Sequence, residues 1–338
     1  METCALLIPI ILLFIDKNKT NIKQKKNISF LLIVVFLFLF MYSTFREYFL
    51  PRDMIGADYY SYQFWFDNLY KIKTINNIGF NLLILFVKLF SEKYVIFLAV
   101  VSLIMLFNFF KFAIDNSSDY RYSIFIFITF GLLSLTFNGI RQSLACSIWL
   151  LGFKYLSQDK GFIKYCLFTF LATLIHSSAI ALIILYPIMK TNCKLRYRIL
   201  VLVVLAVIFK SDFVIRYILN KFSTIDNTYL HRYYGTKNIS QSNLVVFGIA
   251  IIVLIATLIN IKKYDINQKS RNVKINYLLL TAFVGFIAPY HLIYSRMLFY
   301  FMPSIMLSVP EVFLLYDKDL SMIIKYFATV LFLTMYFV

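Results

Sequence analysis

The chain has 338 residues, 61% of them hydrophobic and 19% aromatic, and its mean hydropathy is +0.77. A soluble domain of this length cannot bury so much apolar surface, so much of the chain must lie in a lipid bilayer. The net charge of +18 is spread over the connections between apolar segments, without a free-standing basic block, and this excludes nucleic acid as an expected partner.

Apolar segments follow one another along almost the whole chain, at about residues 3–15, 28–45, 78–90, 94–114, 122–137, 139–156, 162–188, 199–215, 244–261, 275–290, 293–316 and 322–338. Several are long enough for a membrane-spanning helix, which needs about 20 residues. No interval between them could hold a soluble domain of about 50 residues. We predict an all-α polytopic integral membrane protein, one transmembrane domain over residues 1–338 with about ten to twelve membrane segments.

The basic residues predict the orientation, because loops rich in Lys and Arg stay on the cytoplasmic side. Basic loops at 16–27, 154–164, 190–198 and 262–274 should therefore face the cytoplasm. The other two large connections then lie outside. They are mixed in charge and rich in aromatic residues, as interfacial loops usually are, and they cover residues 46–77 and 217–243.

Two segments do not fit simple spans. Segment 162–188 has basic flanks at both ends, so both ends should be cytoplasmic, and its helical length of roughly 40 Å barely allows two crossings. A helical hairpin or re-entrant pair resolves this contradiction, with IHSSA (175–179) at its turn. Segment 78–90 is too short for a full span and favours a re-entrant or interfacial piece.

NGIRQSLA (138–145) places an arginine between two long apolar runs. An arginine near the centre of a membrane helix costs about 2.5–3.5 kcal/mol and normally has a partner or faces a polar cavity. If the segment is one helix, Asn138, Gln142 and Ala145 lie beside Arg141 at helical spacings. Snorkelling of Arg141 to headgroups is the alternative, but it gives the two amides no role. We predict that Arg141 faces a polar cavity near the outer end of its helix.

Two further polar groups interrupt apolar runs. His176, in IHSSA, could act as a general acid or base or donate to a phosphate, and it could equally cap the hairpin turn. Arg296, in YHLIYSRMLFYF (290–301), has Tyr300 one turn later and could contact an anion or snorkel to headgroups. The sequence leaves both choices open.

The segment 46–70 is dense in aromatic residues, Tyr62 among them, and its charged residues include Arg52, Asp53, Asp58 and Asp67. Aromatic faces flanked by carboxylates suit the binding of sugar rings, although an interfacial aromatic belt has a similar composition. Segment 216–235 has the same character and contributes Arg232.

No metal or cofactor is expected from the sequence. The pair Asp317 and Asp319 matches an Asp-x-Asp metal-binding pattern, but it falls in a short charged loop on the predicted inner face. The four cysteines form no CxxC pair and lie in or beside apolar runs, so they indicate neither a metal site nor a disulfide framework. The candidate chemistry therefore falls to arginine, histidine and carboxylate side chains.

Five short motifs resemble those of one known family: GADYYSY (56–62), IGFNLL (78–83), FNGIRQSLA (137–145), IHSSA (175–179) and SRMLFYF (295–301). Their order and spacing over most of the chain resemble the EpsG family of the Wzy-like polysaccharide polymerases, and NGIRQSLA followed by IHSSA is the most specific part. The resemblance implies a fold related to the GT-C class. It also implies a multi-pass protein of the bacterial cytoplasmic (inner) membrane, with an active site that faces outward.

The resemblance further implies a metal-independent polymerase of capsule, exopolysaccharide or O-antigen. Such an enzyme joins oligosaccharide repeat units carried on undecaprenyl diphosphate, and its partners are those lipid-linked units, the bilayer, and a chain-length regulator and a flippase of the same pathway. A diphosphate leaving group needs fixed positive charge, which Arg141 and Arg296, with His176, would supply. The acceptor hydroxyl needs a base, for which Asp58 is the first choice, Asp53 the second and His176 the alternative.

The other residues expected to bind substrate are Arg52, Asp53, Tyr62, Asn138, Gln142, Arg232, Arg296 and Tyr300. Three other functions share some of these features: a flippase or transporter of lipid-linked glycans, a membrane O-acyltransferase and an O-antigen ligase. A transporter usually shows an internal repeat, and none is evident in the sequence. An acyltransferase histidine is normally paired with an acid, whereas His176 has no carboxylate within one helical turn.

Overall fold

The computed structural model describes residues 5–15, 29–50, 55–56, 58–69, 77–210, 241–263 and 267–337. These residues form α-helices and short 3-10 segments, and no strand occurs within them, which confirms the predicted all-α class. The chain divides into two compact units, residues 1–186 with 317–338 and residues 187–316. The expectation of a single domain over residues 1–338 stays a prediction.

The α-helices of the described residues are, in chain order, α1 (Leu7–Ile15), α2 (Phe30–Thr44), α3 (Arg46–Phe49), α4 (Tyr59–Asp67), α5 (Ile78–Lys88), α6 (Tyr94–Asn116), α7 (Tyr120–Thr129), α8 (Leu132–Asn138), α9 (Ile140–Leu151), α10 (Phe162–Ile175), α11 (Leu185–Lys190), α12 (Leu195–Lys210), α13 (Gln241–Ile259), α14 (Gln268–Ile287), α15 (Leu292–Phe301), α16 (Pro303–Leu314) and α17 (Lys318–Phe337). The 3-10 segments are Phe153–Ser157, Ser177–Ile184, Ile261–Lys263 and Ala288–Tyr290.

Three helices are long and apolar enough to cross a membrane, and the number rises to five if each of two bent helix pairs is one span. The three are Tyr94–Asn116, Gln268–Tyr290 and Lys318–Phe337. Several shorter apolar helices of 10–17 residues accompany them. The chain is therefore a polytopic membrane protein, as predicted, and its expected segments include helices too short for a full span in the described residues.

Glycine explains why one of the predicted segments is broken. The sequence predicts a continuous helix over 122–137, whereas the structure has α7 and α8 meeting at an angle of 51°. Gly131 stands between them at φ +79°, a backbone conformation that favours glycine and interrupts the helix. The two short helices together are one bent apolar pair.

Hydrogen bonds between buried side chains hold the first unit together. The Asn108 amide of α6 donates to Ser147 Oγ of α9 at 3.2 Å. The Trp149 indole of α9 donates to the Tyr165 hydroxyl of α10 at 3.0 Å, and that hydroxyl donates in turn to the Leu182 carbonyl at 2.6 Å. A buried polar side chain is costly unless it is paired, so these bonds fix the order in which the three helices pack.

The segment 162–188 forms the hairpin that its flanking charges predict. Helix α10 ends at Ile175, His176 is extended, and the chain then returns along α10 as the 3-10 segment Ser177–Ile184. The return is seen in the Tyr165 bond to Leu182 and in the ring of Phe162, whose centroid lies 5.0 Å from that of Tyr186. The predicted turn at IHSSA is confirmed.

In the second unit, helices α13, α14, α15 and α16 form the interior. Gly285 of α14 packs directly on the backbone of α13, where an added Cβ would lie 3.1 Å from the Phe247 backbone. A buried ion pair joins Lys274 of α14 to Glu311 of α16. Farther along the same helices, the Thr281 and Ser304 hydroxyls lie 2.6 Å apart.

Candidate functional site

Two helices, α3 and α4, lie within residues 46–69, which were expected to be part of an outer loop, and three aromatic side chains of α4 are buried. The ring of Phe66 in α4 lies 5.8 Å from that of Tyr94 and 5.4 Å from that of Phe97 in α6. Tyr59 and Tyr62 of α4 are also buried. One face of α4 therefore packs in the first unit, whereas Tyr60 and Phe64 of α4 and both aromatic residues of α3 stay exposed.

A glycine turn brings the segment around Asp58 against the end of α8. Gly56 has φ +110°, and a Cβ at this position would lie 2.3 Å from the Phe137 carbonyl oxygen. Asp58 follows as the residue directly before α4, half-buried, and its side chain makes no cap hydrogen bond. The GADYY and FNGIRQ motifs, about 80 residues apart in sequence, thus meet at backbone contact distance.

Helix α4 presents two aromatic rings to Arg141. The guanidinium carbon lies 4.4 Å from the centroid of the Trp65 ring and 5.7 Å from that of Tyr62. These distances are in the range of a cation–π contact, which is strongest on tryptophan. Tyr62 was an expected substrate contact, and the structure places it beside Arg141. Trp65, which holds the guanidinium more closely, was not identified from the sequence.

Arg141 has no counter-ion in the part of the chain that the structure describes. Its Nε atom is buried without a hydrogen-bond partner there, and so is Nε1 of Trp65. Arg141 is also the second residue of α9, where the helix dipole is positive. A guanidinium, an indole N–H and a helix N-terminus therefore lie together, and each is suited to an anion or another acceptor.

The expected stripe of Asn138, Gln142 and Ala145 beside Arg141 is wrong for Asn138. Gly139 separates α8 from α9, so Asn138 is the last residue of α8 and its side chain is exposed. Gln142 is half-buried in the first turn of α9, whereas Ala145 is fully buried. Gly139 at φ −92° and ψ 65° leaves the helical conformation, and this break is the physical reason.

Helix α5 connects the aromatic rings of α4 to the His176 hairpin. Phe80 of α5 lies 5.9 Å from both Tyr62 and Trp65, measured between ring centroids. At the start of the same helix, Asn77 Oδ1 accepts a hydrogen bond from the Ser177 N–H at 3.2 Å. The IGFNLL and IHSSA motifs are therefore neighbours, and the half-buried His176 is tied to the Arg141 region through α5.

Gly79 explains how α5 approaches the hairpin so closely. A Cβ at this position would lie 2.9 Å from Leu174 Cβ and 3.0 Å from the Leu174 carbonyl carbon and oxygen. Only a residue without a side chain allows this approach to α10, two residues before His176. The glycine of IGFNLL is thus a packing requirement of the site.

A fully buried cation of the first unit was not identified from the sequence. Arg46, at the start of α3, is only 1% exposed, and its guanidinium carbon lies 5.3 Å from the Tyr59 ring centroid and 5.0 Å from that of Phe137. Burial lowers the pKa of Arg46 from its usual value, although a guanidinium stays protonated in proteins. The sequence feature that could have identified Arg46 is its position, directly after the apolar helix α2 and before the GADYY motif.

Tyr59 connects the same segment to α3 by a second contact. Its hydroxyl donates to Glu47 Oε2 at 2.8 Å. Burial, and then the hydrogen bond to Glu47, raise the pKa of Tyr59 well above its usual value, so the phenol stays protonated and keeps donating. Helix α3 therefore fixes the first turn of α4, next to Asp58.

Two predicted site residues lie in the second unit. Arg296 of α15 is exposed, whereas Tyr300 of the same helix is 3% exposed and its carbonyl accepts a hydrogen bond from the Tyr277 hydroxyl at 2.6 Å. The joint role expected for Arg296 and Arg141 stays a prediction. Three further predicted residues lie outside the described residues: Arg52, Asp53 and Arg232.

Among the described residues there is no group of three or more His, Cys, Asp or Glu side chains arranged to hold a metal ion. The family model of the EpsG family matches residues 49–338, which is most of the chain. The matched range includes the segments that the geometry brings together, namely α4, α5, α9 and the His176 hairpin. No curated protein and no solved structure matches the chain.

Proposed function

The chain belongs to the EpsG family, and on that premise we propose that it is a membrane glycosyltransferase that polymerises a surface polysaccharide. It joins oligosaccharide repeat units carried on undecaprenyl diphosphate at the outer face of the bacterial cytoplasmic membrane. The observation that carries the proposal is the Arg141 guanidinium. It is stacked on Trp65 and has no carboxylate partner among the described residues.

The proposed reaction transfers the growing chain from one lipid carrier to the next repeat unit. A hydroxyl at the non-reducing end of one unit attacks the anomeric carbon of the chain held on the other carrier. The new carbon–oxygen bond forms as the bond from that carbon to the diphosphate breaks. The diphosphate leaves with the bonding electrons, and the hydroxyl proton passes to a base. Negative charge therefore grows on the leaving group as the reaction proceeds.

Arg141 supplies the fixed positive charge that this leaving group requires. Arginine matches phosphate oxygens with parallel N–H bonds, and its planar group stacks on an aromatic ring, as it does on Trp65. The first turn of α9 adds a helix dipole of the same sign. A charge that is already oriented does not reorganise when negative charge develops, and such electrostatic contacts are the largest contributions in many enzymes.

Asp58 is the proposed base for the acceptor hydroxyl. It directly precedes α4, the helix that carries the Tyr62 and Trp65 rings under Arg141, and the turn before it touches the end of α8. Its carboxylate is half-buried and makes no cap hydrogen bond to its own helix. His176, which α5 ties to the same region, is the alternative.

The proposal is tested by mass analysis of lipid-linked glycans in a strain that lacks the protein and is complemented with variants. Without the protein, or with Arg141→Ala, single repeat units should accumulate on the lipid carrier and long polymer should be lost. Loss of one contact to a developing charge typically lowers the rate by about 10²–10³-fold. Normal chain lengths with Arg141→Ala would exclude the assigned role.

Lys111→Ala is the matched control for this experiment. Lys111 is a partly exposed cation of α6, and its ammonium lies 3.1 Å from Asp115 one turn later. Surface pairs of this kind contribute about 0–1 kcal/mol, so its removal should leave both the polymer and the pool of lipid-linked units unchanged. A loss of polymer in both variants would indicate a general effect of losing positive charge.

A further inference from the structure

Arg46 is a buried cation for which the proposed reaction has so far no role. The rings of Tyr59 and Phe137 lie near its guanidinium, with centroids 5.3 and 5.0 Å from the central carbon. Nη1 donates to the Ser43 carbonyl at 3.4 Å. Among the described residues, the two rings and this hydrogen bond are the cation–π and polar contacts of the side chain.

The unused nitrogens of Arg46 are those that recognise an oxyanion. Nε and Nη2 are buried, and neither has a hydrogen-bond partner among the described residues. In a guanidinium the N–H groups on these two atoms point the same way, and together they make two parallel bonds to one phosphate or carboxylate. The edge suited to bidentate contact is thus left without an acceptor.

Two hydroxyls close to Arg46 in sequence also lack hydrogen-bond partners. Ser43 Oγ and Thr44 Oγ1, at the end of α2, are buried and also have no hydrogen-bond partner in the described part of the chain. Most buried polar atoms in proteins are hydrogen-bonded, and an unmet donor in a buried position is unfavourable. Four such atoms on three nearly adjacent residues indicate a missing acceptor.

Other buried cations of the chain show a different arrangement. The Lys88 side chain is 5% exposed, and its ammonium lies 3.2 Å from the Glu92 carboxylate. The Lys274 side chain is 8% exposed and forms an ion pair with Glu311. Arg46, more buried than either, forms no ion pair within the described residues. An anionic ligand bound at this position would balance the charge of Arg46.

Arg46 and Arg141 both contact aromatic rings of helix α4. Tyr59 contacts Arg46, whereas Tyr62 and Trp65, three and six residues later, contact Arg141. At a rise of about 1.5 Å per residue, these rings are spaced by roughly 5–9 Å along the helix. Both guanidinium groups therefore contact rings of the same helix, Arg46 at its first turn and Arg141 at the following turns.

We propose that Arg46 is the second cationic ligand of the lipid diphosphate. It binds one phosphate through Nε and Nη2, and Arg141 binds the other. This assignment rests on the proposed function, because it names a further residue for the same leaving group. It places the partner of Arg141 within the first unit, on a residue that the sequence motifs did not indicate.

The test compares binding of farnesyl diphosphate and farnesyl monophosphate to the purified full chain in detergent. The wild-type protein should bind the diphosphate more tightly than the monophosphate. Arg46→Gln should reduce that preference by about tenfold or more, which is one lost charged contact, while binding of the monophosphate stays near the wild-type value. Arg141→Gln should weaken the binding of both ligands.

The outcomes separate the two proposals. If Arg46→Gln keeps the wild-type preference, or weakens both ligands equally, Arg46 is structural and the inference is overturned. If the wild-type protein binds neither ligand, the proposed function itself fails, and the inference fails with it. Lys88→Gln, which also removes a buried ammonium, is the matched control and should retain the full preference.

Arg46→Lys keeps the experiment decisive if the glutamine variant does not fold. Lysine retains the charge but lacks the planar edge that makes two parallel bonds. We expect this variant to purify. Its preference for the diphosphate should be weaker than that of the wild type but stronger than that of a protein without the Arg46 contact. An unchanged preference in Arg46→Lys would count against bidentate binding.

Discussion

Arg141 is held by a ring instead of by a carboxylate, and this makes Trp65 a positioning residue. Trp65→Ala should remove a cation–π contact worth about 0.5–2 kcal/mol and lower the polymerisation rate by roughly 2- to 30-fold. Trp65→Phe keeps a ring under the guanidinium and should restore most of the rate. Phe64→Ala removes the exposed neighbouring ring and should change nothing. Chain-length profiles of the polymer measure all three, and equal profiles for both Trp65 variants would contradict the role.

Asp58 is the residue whose substitution separates binding from chemistry. Asp58→Asn keeps the size and polarity of the side chain but removes the base, so turnover should fall by about 10²–10⁴-fold. Binding of farnesyl diphosphate should stay unchanged, because the arginines are intact. If Asp58→Asn polymerises normally while His176→Ala does not, the base is His176.

The site residues predicted from the sequence are charged and polar residues of the motifs, and residues defined by packing are absent from that prediction. Arg141, Asp58 and Tyr62 are recognisable because an isolated charge in an apolar run, or an acid among aromatic residues, is visible in the sequence alone. Arg46 and Trp65 are not, because their importance depends on neighbours about 10–90 residues away that surround them only in the folded chain. Asn138 was misplaced for the same reason, since a single glycine moved it to another helix.

Among the helices, the turn before α4 depends on a glycine for two separate reasons. Gly56→Ala would place a Cβ 2.3 Å from the Phe137 carbonyl and would also force alanine to φ +110°. Gly131→Ala is the matched control, because Gly131 has φ +79° but no atom within 4 Å of the added Cβ. Thermal unfolding in detergent should show Gly56→Ala less stable than Gly131→Ala by at least about 1–3 kcal/mol. Equal losses would mean that α8 does not constrain the turn.

The ion pair between α14 and α16 gives a second prediction for the helices. Lys274→Met leaves the Glu311 carboxylate buried and unpaired, and should lower the free energy of unfolding by about 3–5 kcal/mol. The double variant Lys274→Met, Glu311→Leu removes both charges and should recover most of this loss. Unfolding of the purified variants measures the difference, and a double variant no more stable than the single one would contradict the assignment.

The hairpin at IHSSA could be predicted because charge counting constrains both ends of a segment. Basic flanks on each side of 162–188 required an even number of crossings, and the chain does reverse at His176. The breaks at Gly131 and Gly139 could not be predicted in this way. Hydropathy stays high through both glycines, so it does not mark a break. Glycine also occurs inside helices, and whether it interrupts one depends on the packing around it.

For the whole molecule, the sequence predicted the all-α membrane class and the family, since both depend on composition and ordered motifs. Several of the apolar segments are interrupted helices in the described residues, where three to five helices or bent pairs are long and apolar enough to cross a membrane. The motifs of the first unit converge at α4, and no local pattern could have predicted this. Convergence results from three close contacts: Gly56 with Phe137, Gly79 with Leu174, and Trp65 with Arg141.

The most direct test of the central claim is chain extension by the purified protein in detergent, supplied only with lipid-linked repeat units. We expect longer lipid-linked glycans to appear, with one undecaprenyl diphosphate released for each unit joined. Arg141→Ala should abolish both products while the protein stays folded. If glycans never lengthen, or if Arg141→Ala releases the diphosphate at the wild-type rate, the assignment of Arg141 to the leaving group of a polymerase is wrong.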